Sequence, residues 1–296
     1  MEMQSLSICV PAGCPNNCKF CVARMRRDAY TNQIEKNRRF RDLYKRDFKR
    51  RLEFCRDNGC NTVVLTGDGE PLVNLSFLDD FAEWNEAISK PFRKIELQTS
   101  GVTLNDEKLR YLRNAVGVST IAISLSDIFN GERNRDYNGT PPNLMVDIDK
   151  VCAEIKRYDF NLRLSMNMTD AYEAEDLHHM KVLAQNIFGR CKALGANQVT
   201  FRVLYVSGSN TPQDQWISQH AVNADFIVIL NEFIRAQGRE LETLSFGAQR
   251  FSVNGISTVV DADCMSTAPK EALRYAVLRP DCKLYSKWDD EGSLIF

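Results

Sequence analysis

Strand-like and helix-like segments alternate six times between Ser5 and Val206, and this alternation constrains the fold of the 296-residue chain more than any other feature. Ser5–Val10, Asn61–Thr66, Lys94–Thr99, Val118–Leu125, Asn161–Met168 and Gln198–Val206 read as apolar strands. Helical spacing runs through Thr31–Asn58, Leu75–Ser89, Asn105–Ala115, Asn143–Tyr158 and Glu173–Leu194, with a further helix near Asn223–Gln237. Such alternation requires parallel strands joined by helical crossovers, an α/β fold. Six units fall short of the eight of a complete barrel. The pattern changes at about Glu240, after which Arg250–Val260 reads as two alternating strands around Asn254-Gly255, a hairpin signal. Two units are therefore expected, residues 1–239 and a C-terminal extension, residues 240–296, that caps the first.

Side-chain parity within the strands carries the next step. Ile95/Leu97, Ile121/Ile123/Leu125, Leu162/Leu164/Met166 and Val199/Phe201/Val203 form one apolar face, suited to packing under helices. The opposite face offers Glu96/Gln98/Ser100, Ala122/Ser124/Ser126, Ser165/Asn167 and Thr200/Arg202. Barrel interiors are ordinarily filled by Val, Ile and Leu, so this parity predicts an open lumen that holds a polar ligand. Arg202 stands out, because a buried guanidinium needs an anion, which a cofactor carboxylate or a substrate phosphate would supply.

The first strand runs into Cys14-Pro15-Asn16-Asn17-Cys18-Lys19-Phe20-Cys21, three cysteines spaced C-x3-C-x2-C on one loop. Three thiolates can hold three irons of a [4Fe–4S] cube and leave the fourth iron open. A structural zinc site would want a fourth ligand, and no His or Cys follows closely after Cys21. The second strand ends in Gly67-Asp68-Gly69-Glu70-Pro71, where glycines let the backbone approach a ligand and proline stops the strand.

Cys14, Cys18, Phe20 and Cys21 match the C-x3-C-x-aromatic-C signature of the radical S-adenosylmethionine (SAM) enzymes, and the chain resembles that family. The resemblance implies a partial (β/α)6 TIM-like barrel, a [4Fe–4S] cluster on Cys14, Cys18 and Cys21, and SAM chelated to the open iron. It also implies reductive cleavage of SAM to a 5′-deoxyadenosyl radical that abstracts hydrogen from a substrate, with an electron donor such as flavodoxin or ferredoxin. Gly69-Glu70 is similar to the family's GGE motif, which contacts the SAM amino group; here Asp68 stands between the glycines. The Arg202 segment resembles the sixth strand of the molybdopterin-precursor cyclase branch. Ser124, Asn167 and, less directly, Ser126 occupy positions where relatives contact the SAM carboxylate and ribose, and Gln98 and Thr99 likewise end the third strand.

Composition limits the rest. Net charge is −1, which gives no global attraction to nucleic acid or membrane. No run approaches the roughly 18 to 20 apolar residues of a membrane span. Ten cysteines in a long chain that opens Met1-Glu2-Met3-Gln4-Ser5, without a basic apolar leader, point to a reducing cytoplasm. From Lys19 to Arg51, thirteen Lys/Arg stand against four Asp/Glu. This is either a solvated helix face or a platform for phosphates, and it favours a nucleotide, nucleoside or RNA substrate over a peptide or small metabolite. Cys264 and Cys282 in the extension are ordinary thiols or a redox or hydrogen-donor pair. An RNA methyl synthase is a competing subclass, with Cys282 as its second cysteine, and a non-enzymatic electron carrier or oxygen sensor is the alternative outside catalysis. His178, His179 and His220 show no metal-ligand spacing. Tyr205 and Tyr285 are candidate radical relays only where the lumen includes them.

Overall fold

The computed structural model describes residues 2–25, 41–67, 69–244, 247–261, 272–288 and 291–296. Six strands, β1 (Glu2–Cys9), β2 (Thr62–Thr66), β3 (Lys94–Thr99), β4 (Thr120–Leu125), β5 (Asn161–Met168) and β6 (Gln198–Val203), lie side by side in chain order, every neighbouring pair parallel. After β1 comes the cysteine loop and a single helical turn, α1 (Val22–Met25), and then α2 (Arg41–Asp57). The crossovers that follow are α3 (Leu75–Glu86), α4 (Asp106–Tyr111, continued by a π turn to Val116), α5 (Gly131–Tyr137) with α6 (Ile148–Arg157), and α7 (Leu177–Ala193). α8 (Pro212–His220) and α9 (Ala224–Gln237) come after β6. The fold is the expected α/β barrel-like arrangement. Residues 31–40 of the first expected helix lie outside the described residues.

The apolar parity of the strands is what attaches the helices. Ile121, Ile123, Leu125, Leu162, Leu164, Met166 and Phe201 are completely buried on the helix-facing side. Each such side chain contributes about 2 kcal/mol by leaving water. α6 shows the matching stripe, with Ile148, Cys152 and Ile155 buried at helical spacing.

Residues 240–296, expected as a cap, are built into the same sheet. β7 (Gly238–Thr243) and β8 (Gln249–Val253) are antiparallel, and β8 turns into β9 (Ile256–Asp261) through Asn254 and Gly255, both at positive φ, as the hairpin signal requires. β9 then pairs in parallel with β6. At the far edge β10 (Ala272–Leu278) pairs in parallel with β1, and β11 (Leu284–Tyr285) closes back on it. The order is β11-β10-β1-β2-β3-β4-β5-β6-β9-β8-β7. The parallel run is therefore eight strands long among the described residues, with the extension supplying both its outermost members.

Candidate active site

The cysteine loop leaves the C-terminal end of β1 and is fastened on two sides. Toward β2, the Glu70 amide donates to the Gly13 carbonyl at 2.9 Å and Asn74 Nδ2 to the Pro11 carbonyl at 2.6 Å. Gly69 packs so closely that a Cβ there would stand 2.1 Å from the Ala12 carbonyl oxygen and 2.6 Å from that of Gly13. This close approach explains the residue type. Toward α5, the Asn17 amide donates to the Gly139 carbonyl at 3.0 Å and the Lys19 amide to that of Tyr137 at 3.0 Å. Gly139, at φ +53, has no room for a side chain against Asn17 either.

An aromatic stack braces the loop from outside. Phe20 lies 5.8 Å from Trp216 of α8, and Trp216 stacks on His220 at 4.5 Å. His220 Nδ1 and the Tyr137 hydroxyl both meet the Asp170 carboxylate, at 2.7 and 2.5 Å. His220 thus holds a structural post near the loop. His179 pairs with Asp176 at the exposed start of α7.

The nine described cysteines are all free thiols. Burial, then the neighbouring Cys21 and Cys14, push the Cys18 thiol up to about 12. Burial raises Cys14 as well, partly offset by the Asn16 amide. Cys21 acts on both Cys14 and Cys18, and Cys14 on Cys18, so the three sulfurs share one locale. Among the described residues no three His, Cys, Asp or Glu side chains converge on a single ion.

A cavity of about 1140 Å³ opens beside the loop at the C-terminal ends of the strands. It is lined by Cys14, Cys18 and Cys21 and by Gly69, Glu70, Gln98, Ser124, Asn167 and Arg202, so the structure brings these residues to one space. Glu70 is buried, and its carboxylate is already held by the Thr99 hydroxyl (2.6 Å), the Ser100 amide (2.9 Å) and hydroxyl (2.7 Å) and, more loosely, the Leu72 amide (3.4 Å). It pins the glycine turn to the end of β3. Gln98 accepts from Thr66 and donates to Glu96. Asn167 Nδ2 reaches Ser124 Oγ at 3.2 Å and Ser126 Oγ at 3.3 Å. Ser126 Oγ in turn donates to Asn138 Oδ1 at 2.8 Å, and Asn134 accepts from the Ser126 amide. One polar chain therefore runs from the strand ends through α5 to the cysteine loop.

Sequence reasoning did not anticipate Asn134 and Asn138, although their i, i+4 spacing in a polar segment was a readable signal. It also passed over Asn16 and reached Ser165 only as a parity position. Both side chains line the cavity, are buried, and have no hydrogen-bond partner. Buried polar atoms are rarely left so, and two of them facing one space point to a ligand there.

Cys282 also lines this cavity. It is buried at φ +64, and burial with the nearby Asp281 and Asp47 drives its thiol well above the ordinary range. Cys264 lies outside the described residues. Tyr205 lines the cavity, whereas the Tyr285 hydroxyl donates to Asp281 and its ring packs under the Arg279 guanidinium. Part of the basic face of α2 is engaged structurally: Lys45 pairs with Glu83, Arg51 lies over the Phe296 ring, and Arg56 reaches the Lys90 and Cys60 carbonyls, while Arg46 and Arg50 are exposed.

The fold and the loop together define a class, an α/β protein with a thiolate-ligated centre at the mouth of a small-molecule cavity. The family model described as the radical SAM superfamily matches residues 8–181. The chain belongs to that superfamily, whose enzymes use a [4Fe–4S] cluster and SAM. Among solved structures it is similar to Streptococcus suis SuiB bound to S-adenosylmethionine, at 12% identity and TM-score 0.58, over 96% of this chain and 60% of that one. It is similar also to anSMEcpe with bound AdoMet and the Cp18Cys peptide, at 12% identity and TM-score 0.57, over 97% and 74% of the two chains. A third is the Escherichia coli coproporphyrinogen III oxidase HemN, a radical SAM enzyme, at 14% identity and TM-score 0.55, over 80% and 54%. The chain thus spans 60% of the length of SuiB, and at these identities the likeness bears on fold. No curated protein sequence matches the chain. No helix among the described residues is long and apolar enough to cross a membrane.

The residues present fit the family's cofactors. The donor set is three free thiols on one loop, and the adjoining cavity exceeds the roughly 300 to 1,000 Å³ of common ligand pockets, so it has room for SAM beside a cluster.

Proposed function

We propose that the chain is a radical SAM enzyme in which Cys14, Cys18 and Cys21 hold the cluster and the cavity beside them receives SAM. A cluster held by these three thiols would supply the one-electron reduction that cleaves SAM at its C5′–S bond into methionine and a 5′-deoxyadenosyl radical, the hydrogen-abstracting species of this chemistry. The single observation that carries this reading is the convergence of the three thiols with the unpartnered Asn16 and Ser165 side chains on one cavity.

The chain's own residues divide the work. The Gly69-Glu70 turn sets the depth of the cysteine loop and presents backbone to the SAM amino group, while Glu70 itself fixes the turn to Thr99 and Ser100. Ser124 and Asn167, already hydrogen-bonded to each other, face the ribose and carboxylate. Arg202 and Gln98 stand lower on the lumen wall. Gly13, Cys14, Asn17 and Lys19 are exposed on the loop, and there an electron donor such as flavodoxin or ferredoxin reaches the cluster.

Cys282 is a candidate hydrogen-atom donor to a substrate radical. Its environment favours the protonated thiol, the form that can return a hydrogen atom, and disfavours the thiolate that a methyl-accepting cysteine needs. The substrate class we favour is a nucleotide, nucleoside or RNA, with a peptide or small metabolite as the alternative.

The test is anaerobic reconstitution with iron, sulfide, SAM and a reductant. Expected are about four irons per chain and 5′-deoxyadenosine in the products, with both lost in Cys18→Ala. Tightly bound zinc in place of iron, or undiminished SAM cleavage by the variant, would overturn the assignment.

A further inference from the structure

A second cavity of about 490 Å³ lies deeper in the lumen, at the N-terminal half of the parallel strands. Thr66, Gly67, Gln98 and Arg202 line both cavities, so the two spaces adjoin across that level. The lower one is walled on one side by Ser5 and Ser7 of β1 and on the other by Gln198 and Thr200 of β6. The extension completes it, with Ser257 and Asp261 from β9, Tyr275 from β10, and Trp288.

The chemistry of this wall is unlike a packing core. Inward polar groups cost free energy unless each finds a partner, and much of the wall is satisfied within itself. Glu96, almost wholly buried, takes Arg163 Nη1 at 2.6 Å and Gln98 Nε2 at 3.2 Å, and Arg163 Nε and Nη2 meet Gln198 Oε1 at 2.8 and 2.6 Å. This belt spans β3, β5 and β6 and leaves no charge uncompensated. Above it the account changes. Arg202 makes no ion pair within 4 Å among the described residues, Asp261, its neighbour across the β6–β9 ladder, stands on the same wall, and the Ser165 hydroxyl, a strand away, has no partner. The boundary between the two cavities therefore holds a half-buried guanidinium that can receive an anion, above a ring of carboxamides and hydroxyls with the Glu96 and Asp261 carboxylates and the Arg163 and Arg250 guanidiniums, and with the Trp288 and Tyr275 rings also on the wall.

We infer that the lower chamber is the substrate site, and that it takes a small hydrophilic anion of mononucleotide size: one phosphate or carboxylate at Arg202 and a hydrogen-bonding ring toward the Glu96–Arg163–Gln198 belt. The inference rests on the radical SAM reading above, since the anion end meets the SAM-bearing cavity. A volume of about 490 Å³ sits at the lower end of the small-molecule range and has no space for a folded RNA or a peptide strand. Specificity would then lie partly in the C-terminal extension, because β9, β10 and Trp288 build a wall of the chamber.

The experiment uses reconstituted, SAM-loaded full-length protein and measures binding of AMP, GMP, CMP and UMP by calorimetry. Thr200→Leu on β6 and Ser257→Leu on β9 each place a branched side chain into the chamber; two positions are used because one variant can fail to fold. At least one mononucleotide should bind the wild type, and either folded variant should weaken it tenfold or more while SAM affinity shifts less than twofold. Binding unaltered by both fillings would overturn the chamber, as would no mononucleotide binding alongside binding of a single-stranded RNA oligonucleotide or a peptide. If the wild type binds mononucleotide but yields no 5′-deoxyadenosine, the chamber stands as a site and the radical SAM reading fails. If SAM is cleaved and no mononucleotide binds, the chamber assignment alone fails.

Discussion

Gly69 carries more of this site than its lack of a side chain would imply. Its Cα faces the Ala12 and Gly13 carbonyls of the cysteine loop, and a methyl group would meet backbone that cannot rotate away. Gly69→Ala should cost about 3 kcal/mol or more, the upper end of what overpacking a tight interior costs. The same substitution should displace the loop, so that iron content after anaerobic reconstitution falls by more than half. Thermal unfolding and iron analysis of the variant check both, and an iron-replete variant of native stability would refute the packing argument. The glycine was visible in the sequence as part of a ligand-approach motif. Its partner in the contact is the backbone of residues 12 and 13, 57 and 56 positions away, which no local pattern names. Glu70 makes the same point: the motif singled it out for SAM, while the structure surrounds its carboxylate with donors from β3.

Helix α8 shows how a short element positions chemistry it does not contain. Thr211 and Asp214 form a reciprocal capping box, and Asp214 also takes the Ser207 amide and hydroxyl at 2.7 Å each. These bonds hold its carboxyl at about 2, down from 3.8. A carboxyl depressed by folding stabilises the fold fully above its unfolded value and loses that contribution as pH falls through the folded value. Wild type and Asp214→Asn should therefore differ in melting temperature by a constant amount above pH 4, with the gap closing between pH 4 and 2. A gap independent of pH across that range would mean the carboxylate is not what secures the helix. Because α8 carries Trp216 onto Phe20, the variant should also reconstitute its cluster more slowly. Neither α8 nor α5 was anticipated, since Gly131–Tyr137 and Pro212–His220 have too few apolar residues for a helical stripe. The local signals were the Asn130 cap of α5 and, for α8, the Thr211 cap with Pro212 and Asp214 behind it.

The molecule as a whole is an eight-strand parallel run whose outermost members come from the chain's last quarter. β10 pairs with six residues of β1, from Glu2 to Ile8, and buries Ala276, Val277 and Leu278 there. A chain ending at residue 239 would leave β1 and β6 as bare edges flanked by apolar side chains, a template for edge-to-edge association. Truncation after Arg239 should thus give an aggregating protein, with little soluble monomer by size-exclusion chromatography. A soluble, monomeric, SAM-binding fragment would show residues 240–296 to be an independent cap. Tyr275, Trp288 and Cys282 all reach the lumen by this route, which is why the extension matters to the site as well as to the sheet.

By itself the sequence determined the periodic features. Strand and helix alternation, the polar parity of the inner faces and the C-x3-C-x2-C loop are local patterns, and local patterns survive without knowledge of the fold. Ser124, Asn167 and Arg202 were legible because strand parity puts them on the lumen side whatever the register. Only the tertiary structure decided the pairing of β10 with β1 and of β9 with β6, the bracing of the cysteine loop by Tyr137, Asn138 and Gly139, and the isolation of Asn16 and Ser165. These depend on contacts between segments tens to hundreds of residues apart. Such contacts are chosen by the packing of the whole core, which no window of the chain contains.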